Sequence, residues 1–506
     1  MAIAGMDVGT SGCKILIYDL DGNIIYKTAA NYKELGKDGC REIDPEEIIV
    51  KIKYLLSDAA QNCPEPIEAL AVASLGESVV CLDANDKILS KSMVTGDKRG
   101  IDEAKQLIEE LGAEKILNIT GLPPSEMYGL PKYMWMNRHT STIKDAKSIF
   151  FYEDYVGYVL TGKRVVSYSS ASRSMAFDIN KKCWSEELLS YAGIEVCQMS
   201  VPVQAGTVIG KILPDMAEKL GLDKEFIVVA GGHDQSCAAL GSGLDRPGVG
   251  ECGMGTCEFI FMMLQNPDLE QKAAVKRNTS MSQYMIENDL PCVPYVLENR
   301  YLTSLEVTTC GILKNWCRDT LLKSAADECG QRGVNFFSYM DDKVKDLKTD
   351  LLLLPQFGSS GNPDINYDVR GTITGLTIHT KPEELYLAVL EGLAFQMLLS
   401  YERAGQIGAR IEKLICTGGG AKSDVTLQMR ADVFDIEVAT VNTEESGTLG
   451  CMILAAVGAG KFVSIQEAID KVVAVKKEYR PIKANQQYYR EKYQRFKRLY
   501  EAMHLF

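Results

Sequence analysis

Short apolar runs set the pattern of the first eighty residues. Residues 2–8 and 14–20 flank the turn Gly9-Thr10-Ser11-Gly12, and residues 24–30 follow Asp21-Gly22-Asn23, a turn of the kind that closes hairpins. The period then changes. Ile48, Ile49, Ile52, Leu55 and Leu56 recur at helical spacing, behind Asp44 as cap, Pro45 at the first helical position and Glu47 completing a capping box. Residues 69–73 return to a continuous apolar run and read as a buried strand. Strand–strand–strand–helix–strand is the order of an α/β domain with a mixed sheet.

The second half opens on a similar phrase. Gly253-Met254-Gly255-Thr256-Cys257 stands before the apolar residues 259–264, as Asp7-Val8-Gly9-Thr10-Ser11 stands before 15–18, which suggests two related domains. Between them, residues 241–250 hold four Gly and a Pro and read as a linker or hinge. Farther on, Thr380-Lys381-Pro382-Glu383 opens a helix, and residues 414–417 form a short strand running into Gly418-Gly419-Gly420-Ala421. In the tail, Tyr489, Tyr493, Phe496 and Tyr500 make one stripe, the mark of a docked helix.

Composition narrows the classes. At 506 residues the chain exceeds one core, and 46% apolar with 24% charged residues is the balance of a folded globular protein. A net charge of −13 argues against a nucleic-acid or acidic-lipid partner. No apolar run approaches the roughly 20 residues that span a bilayer, and the N-terminus has no basic region of a signal peptide. Fifteen scattered cysteines and four separated histidines form neither a zinc pattern nor a disulfide framework, so reduced thiols and a cytoplasmic location are expected.

Two phosphate-binding look-alikes fail on context. Gly248-Val249-Gly250-Glu251-Cys252-Gly253 spells a dinucleotide fingerprint but follows Asp245-Arg246-Pro247 rather than a strand. Gly458-Ala459-Gly460-Lys461 has Ala455 and Phe462 where a P-loop needs Gly and Ser or Thr. The segment from Asp7 to Lys14 carries more. Backbone N–H groups and hydroxyls of Gly9, Thr10 and Ser11 suit phosphate oxygens, Asp7 suits magnesium, and Lys14 adds a cation; the alternative is a plain hairpin. In Gly231-Gly232-His233-Asp234, a carboxylate at a Gly-lined strand-to-helix turn is placed to take a proton from a bound hydroxyl, or to cap the helix, or both. His233 suits packing or support better than the role of base. Glycines 418–420 allow a flat ligand close approach, or serve tight packing.

Taken together these segments resemble the FGGY carbohydrate kinases, from Ile3 to about Gly460. Gly371-Thr-Ile-Thr-Gly375-Leu376, seven residues, then Glu384-Leu385-x-x-Ala388-Val389-Leu390-Glu391 satisfies that family's second signature. The first is matched at Lys132, Tyr133, Trp135, Met136, Arg138 and His139 and broken at Gly129. Glu445-Ser-Gly-Thr-Leu-Gly450 resembles the family's connecting motif.

The resemblance implies two ribonuclease-H-like (actin-like ATPase) domains with an interdomain cleft: 1–246 for sugar binding, the catalytic base and the first phosphate loop, and 247–506 for the second phosphate loop, adenosine and a C-terminal helix. It implies ATP-dependent phosphorylation of a sugar or polyol hydroxyl, a ketopentose such as xylulose being the first expectation and gluconate, a deoxyketose, a tetritol or glycerol the alternatives. A non-catalytic ATP- or sugar-binding sensor of the same fold is the reading from another class. Asp234 is then the catalytic base, and Asp7 and Asp234 face Mg2+. Gly9, Thr10, Ser11, Lys14, Gly255, Thr256, Gly311, Gly419, Gly420, Ala421 and Ser423 hold ATP. Glu77, Ser78, Asp97 and Arg99, with Asp234, hold the small-molecule acceptor. Glu77 is similar to the polyol-binding glutamate of glycerol kinases, whereas Gly76 and Thr95 stand where those enzymes carry Arg and Trp. A homodimer is common among similar kinases.

Overall fold

The computed structural model describes residues 1–36, 39–264, 280–364, 369–443 and 445–503. It divides into two compact units. The first comprises Met1–Asp245, Pro291–Leu302 and Glu445–Ala474, and the second Arg246–Leu290, Thr303–Glu444 and Val475–Phe506.

In the first unit a six-stranded sheet has the order Val208–Lys211, Ile227–His233, Ile67–Ser74, Ala2–Val8, Gly12–Tyr18, Ile24–Asn31. The strands 2–8, 12–18 and 24–31 form an antiparallel meander, while 2–8, 67–74 and 227–233 run parallel. The second strand starts two residues earlier than the apolar run suggests and stops at Tyr18. Beyond it the Asp19 carboxylate accepts from the N–H groups of Asp21 and Asn23 and turns the chain.

The helix Pro45–Asn62 buries Ile48, Ile49, Ile52, Leu55 and Leu56 in the core cluster formed with this sheet. Its Asp44 cap accepts from Glu46 N, but the expected capping box does not form: Glu47 reaches forward to Lys51, one turn on, where an ammonium offers a stronger partner than a backbone N–H. The helix Ser446–Gly458 lies against this sheet and the helix Asp234–Gly241. A Cβ on Gly450 would stand 1.9 Å from the carbonyl oxygen of Cys237, so only glycine permits that crossing.

The second unit repeats the plan. Six of the seven strands of its sheet run Tyr301–Val307, Glu258–Leu264, Gly248–Met254, Ile411–Thr417, Glu437–Val441, Val475–Tyr479. The pair 248–254 and 258–264 is antiparallel, and 248–254, 411–417 and 437–441 run parallel. The two Gly-Thr turns occupy corresponding hairpins: Gly9 N donates to Gly12 O and Gly255 N to Cys257 O, each at 2.9 Å. The Gly-rich stretch expected to be linker through residue 250 is strand from Gly248 on, because Gly250 packs its bare Cα against Ile411 and Leu414.

The helix Pro382–Ala404 opens with Lys381 N donating to Glu384, and the tail helix Lys483–Met503 docks on it, with Tyr493 and Phe496 against Phe395. Among the described residues no helix is long and apolar enough to cross a membrane, and the fifteen cysteines are free thiols.

Candidate active site

Three parallel strands of the first unit end level with one another. Val8 and His233 are both register partners of Ser74, so Asp7, the loop after Ser74 and Asp234 emerge at one carboxyl edge. Crevices at the carboxyl ends of parallel strands are where α/β proteins bind ligands.

Asp234 is the first residue of the helix Asp234–Gly241, so it does not cap that helix by the usual side-chain bond. Its Oδ1 accepts from Gln235 N at 2.6 Å and lies 3.1 Å from His233 Nε2, while Oδ2 makes no hydrogen bond among the described residues. Burial, reinforced by the charges of Asp7 and Glu77, pushes the Asp234 carboxyl up to about 7. Burial and Arg173 push His233 down to about 3, so it faces Asp234 as a neutral imidazole. The backbone N–H of His233 donates to Ser169 Oγ, which bonds Ser167, itself held by the buried Glu153. That chain of side chains fixes the strand end that carries Asp234.

Asp7 is also raised by burial, opposed by Lys14 at 3.3 Å. Lys14 in turn lies 2.8 Å from Glu445, at the head of the helix Ser446–Gly458. The turn beside it is pinned from one side: Tyr32 OH donates to the carbonyls of Gly9 and Gly12, and Tyr32 N to that of Ser11. The Thr10 and Ser11 hydroxyls make no hydrogen bond among the described residues and remain open to a ligand.

The proposed acceptor residues divide. Glu77 is buried, its Oε1 accepting from Arg173 Nε at 2.7 Å and from Arg173 Nη2, its Oε2 from Thr95 Oγ1 at 2.5 Å. Against the upward push of burial, the charges of Arg173 and Lys132 hold Glu77 down to about 2. Ser78 donates to Met93 O. Asp97 and Arg99 bond each other, with Arg41 N on Asp97, Glu42 on Arg99 and the Trp135 ring under the Arg99 guanidinium; no hydrogen bond ties them to Glu77 or Asp234. Lys132 donates to Val94 O, Thr95 O and Met127 O, which holds Thr95 against Glu77. Sequence reasoning missed Arg173. It sits in no motif, and its only signal is Gly76, whose missing side chain leaves the space that the Arg173 stem fills.

In the second unit, Thr256 lies exposed at the second Gly-Thr turn, and Gly311 N donates to Thr256 O; a Cβ on Gly311 would stand 2.6 Å from Gly255 O. Gly418, at φ +81°, and Gly420 pack against Met254, whereas a Cβ on Gly419 would meet nothing within 4 Å. Ala421 follows in the same short turn, and the Ser423 hydroxyl accepts from Thr426 N to cap the helix Asp424–Phe434.

The mixed sheet occurs twice, once in each unit; the first carries a half-buried carboxylate at its strand ends, and each carries a hydroxyl-bearing glycine turn of a kind suited to phosphate oxygens. The model of the FGGY family of carbohydrate kinases, N-terminal domain, matches residues 2–241, and that of the C-terminal domain matches 250–459. The chain belongs to this family; it is an FGGY carbohydrate kinase, with ATP as phosphate donor. It is 28% identical to a xylulose kinase of Lactococcus lactis subsp. lactis, over 99% of this chain and 96% of that one. It is 26% identical to a gluconokinase of Bacillus subtilis, over 96% and 93%. The crystal structure of xylulose kinase from Rhodospirillum rubrum superposes with a TM-score of 0.88 at 22% identity, covering 100% of this chain and 99% of that one, which shows the shared fold.

Proposed function

We propose that this kinase transfers the γ-phosphoryl group of ATP to a terminal hydroxyl of a ketopentose such as xylulose, with Asp234 as general base. One observation carries the assignment of the base: Asp234 stands half-buried at the end of a parallel strand, one carboxylate oxygen engaged by the backbone and the other without a hydrogen bond among the described residues. An acceptor hydroxyl bonded to Oδ2 would be oriented and would lose its proton there as its oxygen attacks phosphorus in line. The full-length likeness to xylulose kinases supports the ketopentose; the gluconokinase likeness keeps aldonates among the acceptors to try.

We assign the triphosphate to Gly9, Thr10, Ser11, Lys14, Gly255 and Thr256, with Gly311 shaping the second turn, and the adenosine to Gly419, Gly420, Ala421 and Ser423. Glu77, Ser78, Asp97 and Arg99 are assigned to the acceptor side, the last two through the shape of the loop they brace. Asp7 and Asp234 fit Mg2+. Each is a half-buried carboxylate, and the charge of Asp7 raises Asp234, a repulsion that a divalent cation relieves. Among the described residues no group of three or more such ligands occurs. Mg2+ suits a two-carboxylate site because it keeps waters and takes substrate phosphate oxygens. When bound it would offset phosphate charge. Free thiols fit a cytoplasmic enzyme, and a homodimer is the assembly we expect.

Incubating the protein with MgATP and a panel of ketoses, polyols, aldonates and aldoses, with phosphorylated products read by mass spectrometry, tests the acceptor. A ketopentose phosphate is the expected main product. ATP hydrolysis with no phosphorylated acceptor on any member of the panel would overturn the reading.

A further inference from the structure

The acceptor side of the first unit is built around an arginine that the function so far leaves unused. Gly76 has no side chain, and a Cβ there would lie 2.7 Å from Arg173 Cγ, 2.9 Å from Arg173 Nε and 2.9 Å from His233 Cδ2. The Arg173 stem fills that space and brings its guanidinium beside both Glu77 and the base: its charge acts on Glu77, His233 and Asp234 alike. Nε and Nη2 are fixed on Glu77 Oε1, and the guanidinium lies over the Tyr128 ring at 5.0 Å. Nη1 makes no hydrogen bond among the described residues and is not sealed from solvent; the side chain is 14% exposed.

We infer that Arg173 is the specificity-determining residue of the acceptor site, with Nη1 donating to a carbonyl or carboxylate oxygen of an open-chain ketose or aldonate. This rests on the kinase reading above and names the feature of the acceptor that it recognises. The surroundings favour an acceptor oxygen over a hydroxyl. Both oxygens of Glu77 already take donors, from Arg173 and Thr95, and the three carbonyls nearest Lys132 take its ammonium. A polyol hydroxyl placed on Nη1 would have to send its own proton to a second lone pair of an acceptor already engaged, or compete for Asp234 Oδ2, which the reacting hydroxyl takes. A carbonyl or carboxylate oxygen carries no proton and meets no such competition. Because Glu77 balances the charge of Arg173, a neutral carbonyl is sufficient, and Glu77 acts mainly by holding the guanidinium in place.

The test compares kcat/KM for xylulose, xylonate and xylitol in the wild type, in Arg173→Lys and in the paired Glu77→Gln/Arg173→Gln variant. The paired change removes both charges together, so neither is left buried and alone, and Tm with the KM for ATP checks that the fold persists. The wild type is expected to favour the ketose or the aldonate over the polyol by about a hundredfold or more. In the paired variant that preference should collapse, the favoured acceptor losing about tenfold or more beyond whatever xylitol loses. Arg173→Lys, which keeps a cation without the fork, should retain part of the preference and covers a paired variant that does not fold. A loss centred on xylonate identifies a carboxylate partner and one centred on xylulose a carbonyl. Equal loss on all three acceptors, an unchanged preference, or a wild type that favours xylitol overturns the inference while leaving the kinase reading intact. Phosphorylation of no acceptor at all, in this trio or the wider panel, overturns the kinase reading itself.

Discussion

Asp234 derives its chemistry from the company it keeps. A carboxyl held at about 7 by burial and by the charges of Asp7 and Glu77 is half ionised near neutrality, the condition in which a base both exists in useful amount and has driving force to accept a proton. kcat/KM measured with both substrates below saturation reports the free enzyme, and it should rise about tenfold per pH unit up to about 7 and level beyond. The sign follows from the role: below its pKa the base is protonated and cannot accept. Asp7→Asn removes one of the charges that raise Asp234, so the rising limb should move to lower pH, whatever the loss in absolute rate. A limb that stays in place in that variant would contradict the coupling of the two carboxylates. The same raised carboxyl was invisible in sequence. Gly231-Gly232-His233-Asp234 showed a carboxylate at a strand-to-helix turn, but burial and the approach of Asp7, Glu77 and Arg173 come from strands far apart in the chain. Arg173, separated from Glu77 by 96 positions, could be found only in three dimensions.

At the scale of elements, local rules carried most of the reading. The strand Ala2–Val8, the Asp44–Pro45 helix start, the Lys381–Pro382 helix start and the docked tail helix are where hydrophobic period and capping chemistry put them. Where the reading slipped, a longer-range partner had prevailed: Lys51 drew Glu47 away from its cap, and the neighbouring strand 411–417 turned Gly248–Gly250 from linker into sheet. The Gly418–Gly420 turn illustrates both reasons for glycine side by side. Gly418 and Gly420 are required by Met254, but Gly419 has open space and a backbone conformation any residue can adopt. Packing does not explain glycine at 419, which leaves open the room that the proposed nucleotide site would use. Gly419→Val should therefore leave Tm within about a degree or two, as surface changes away from packing do, while raising the KM for ATP about tenfold or more and leaving the KM for the acceptor unchanged. An unaltered KM for ATP would remove Gly419 from the nucleotide site.

Across the whole molecule the same hairpin-and-parallel plan is used twice. Each Gly-Thr turn follows the first strand of its sheet, and each sheet places a parallel strand beside it. On the proposed function the first unit supplies the base and the acceptor residues, and the second the glycines assigned to adenosine. Segments 291–302 and 445–474, distant in sequence, return to the first unit, and the second of them delivers Glu445 to Lys14. The two Gly-Thr hairpins were readable from motifs; these returning segments carry no local signal and were not.

The central claim is that Asp234 activates a sugar hydroxyl for attack on ATP. The most direct measurement is the rate of ADP release with MgATP, with and without the best ketose, in the wild type and in Asp234→Ala. The account expects the ketose to raise the wild-type rate well above its background, and the variant to lose that stimulated rate by on the order of a hundredfold or more while still binding ATP. Equal ketose-stimulated rates in the two proteins would contradict it.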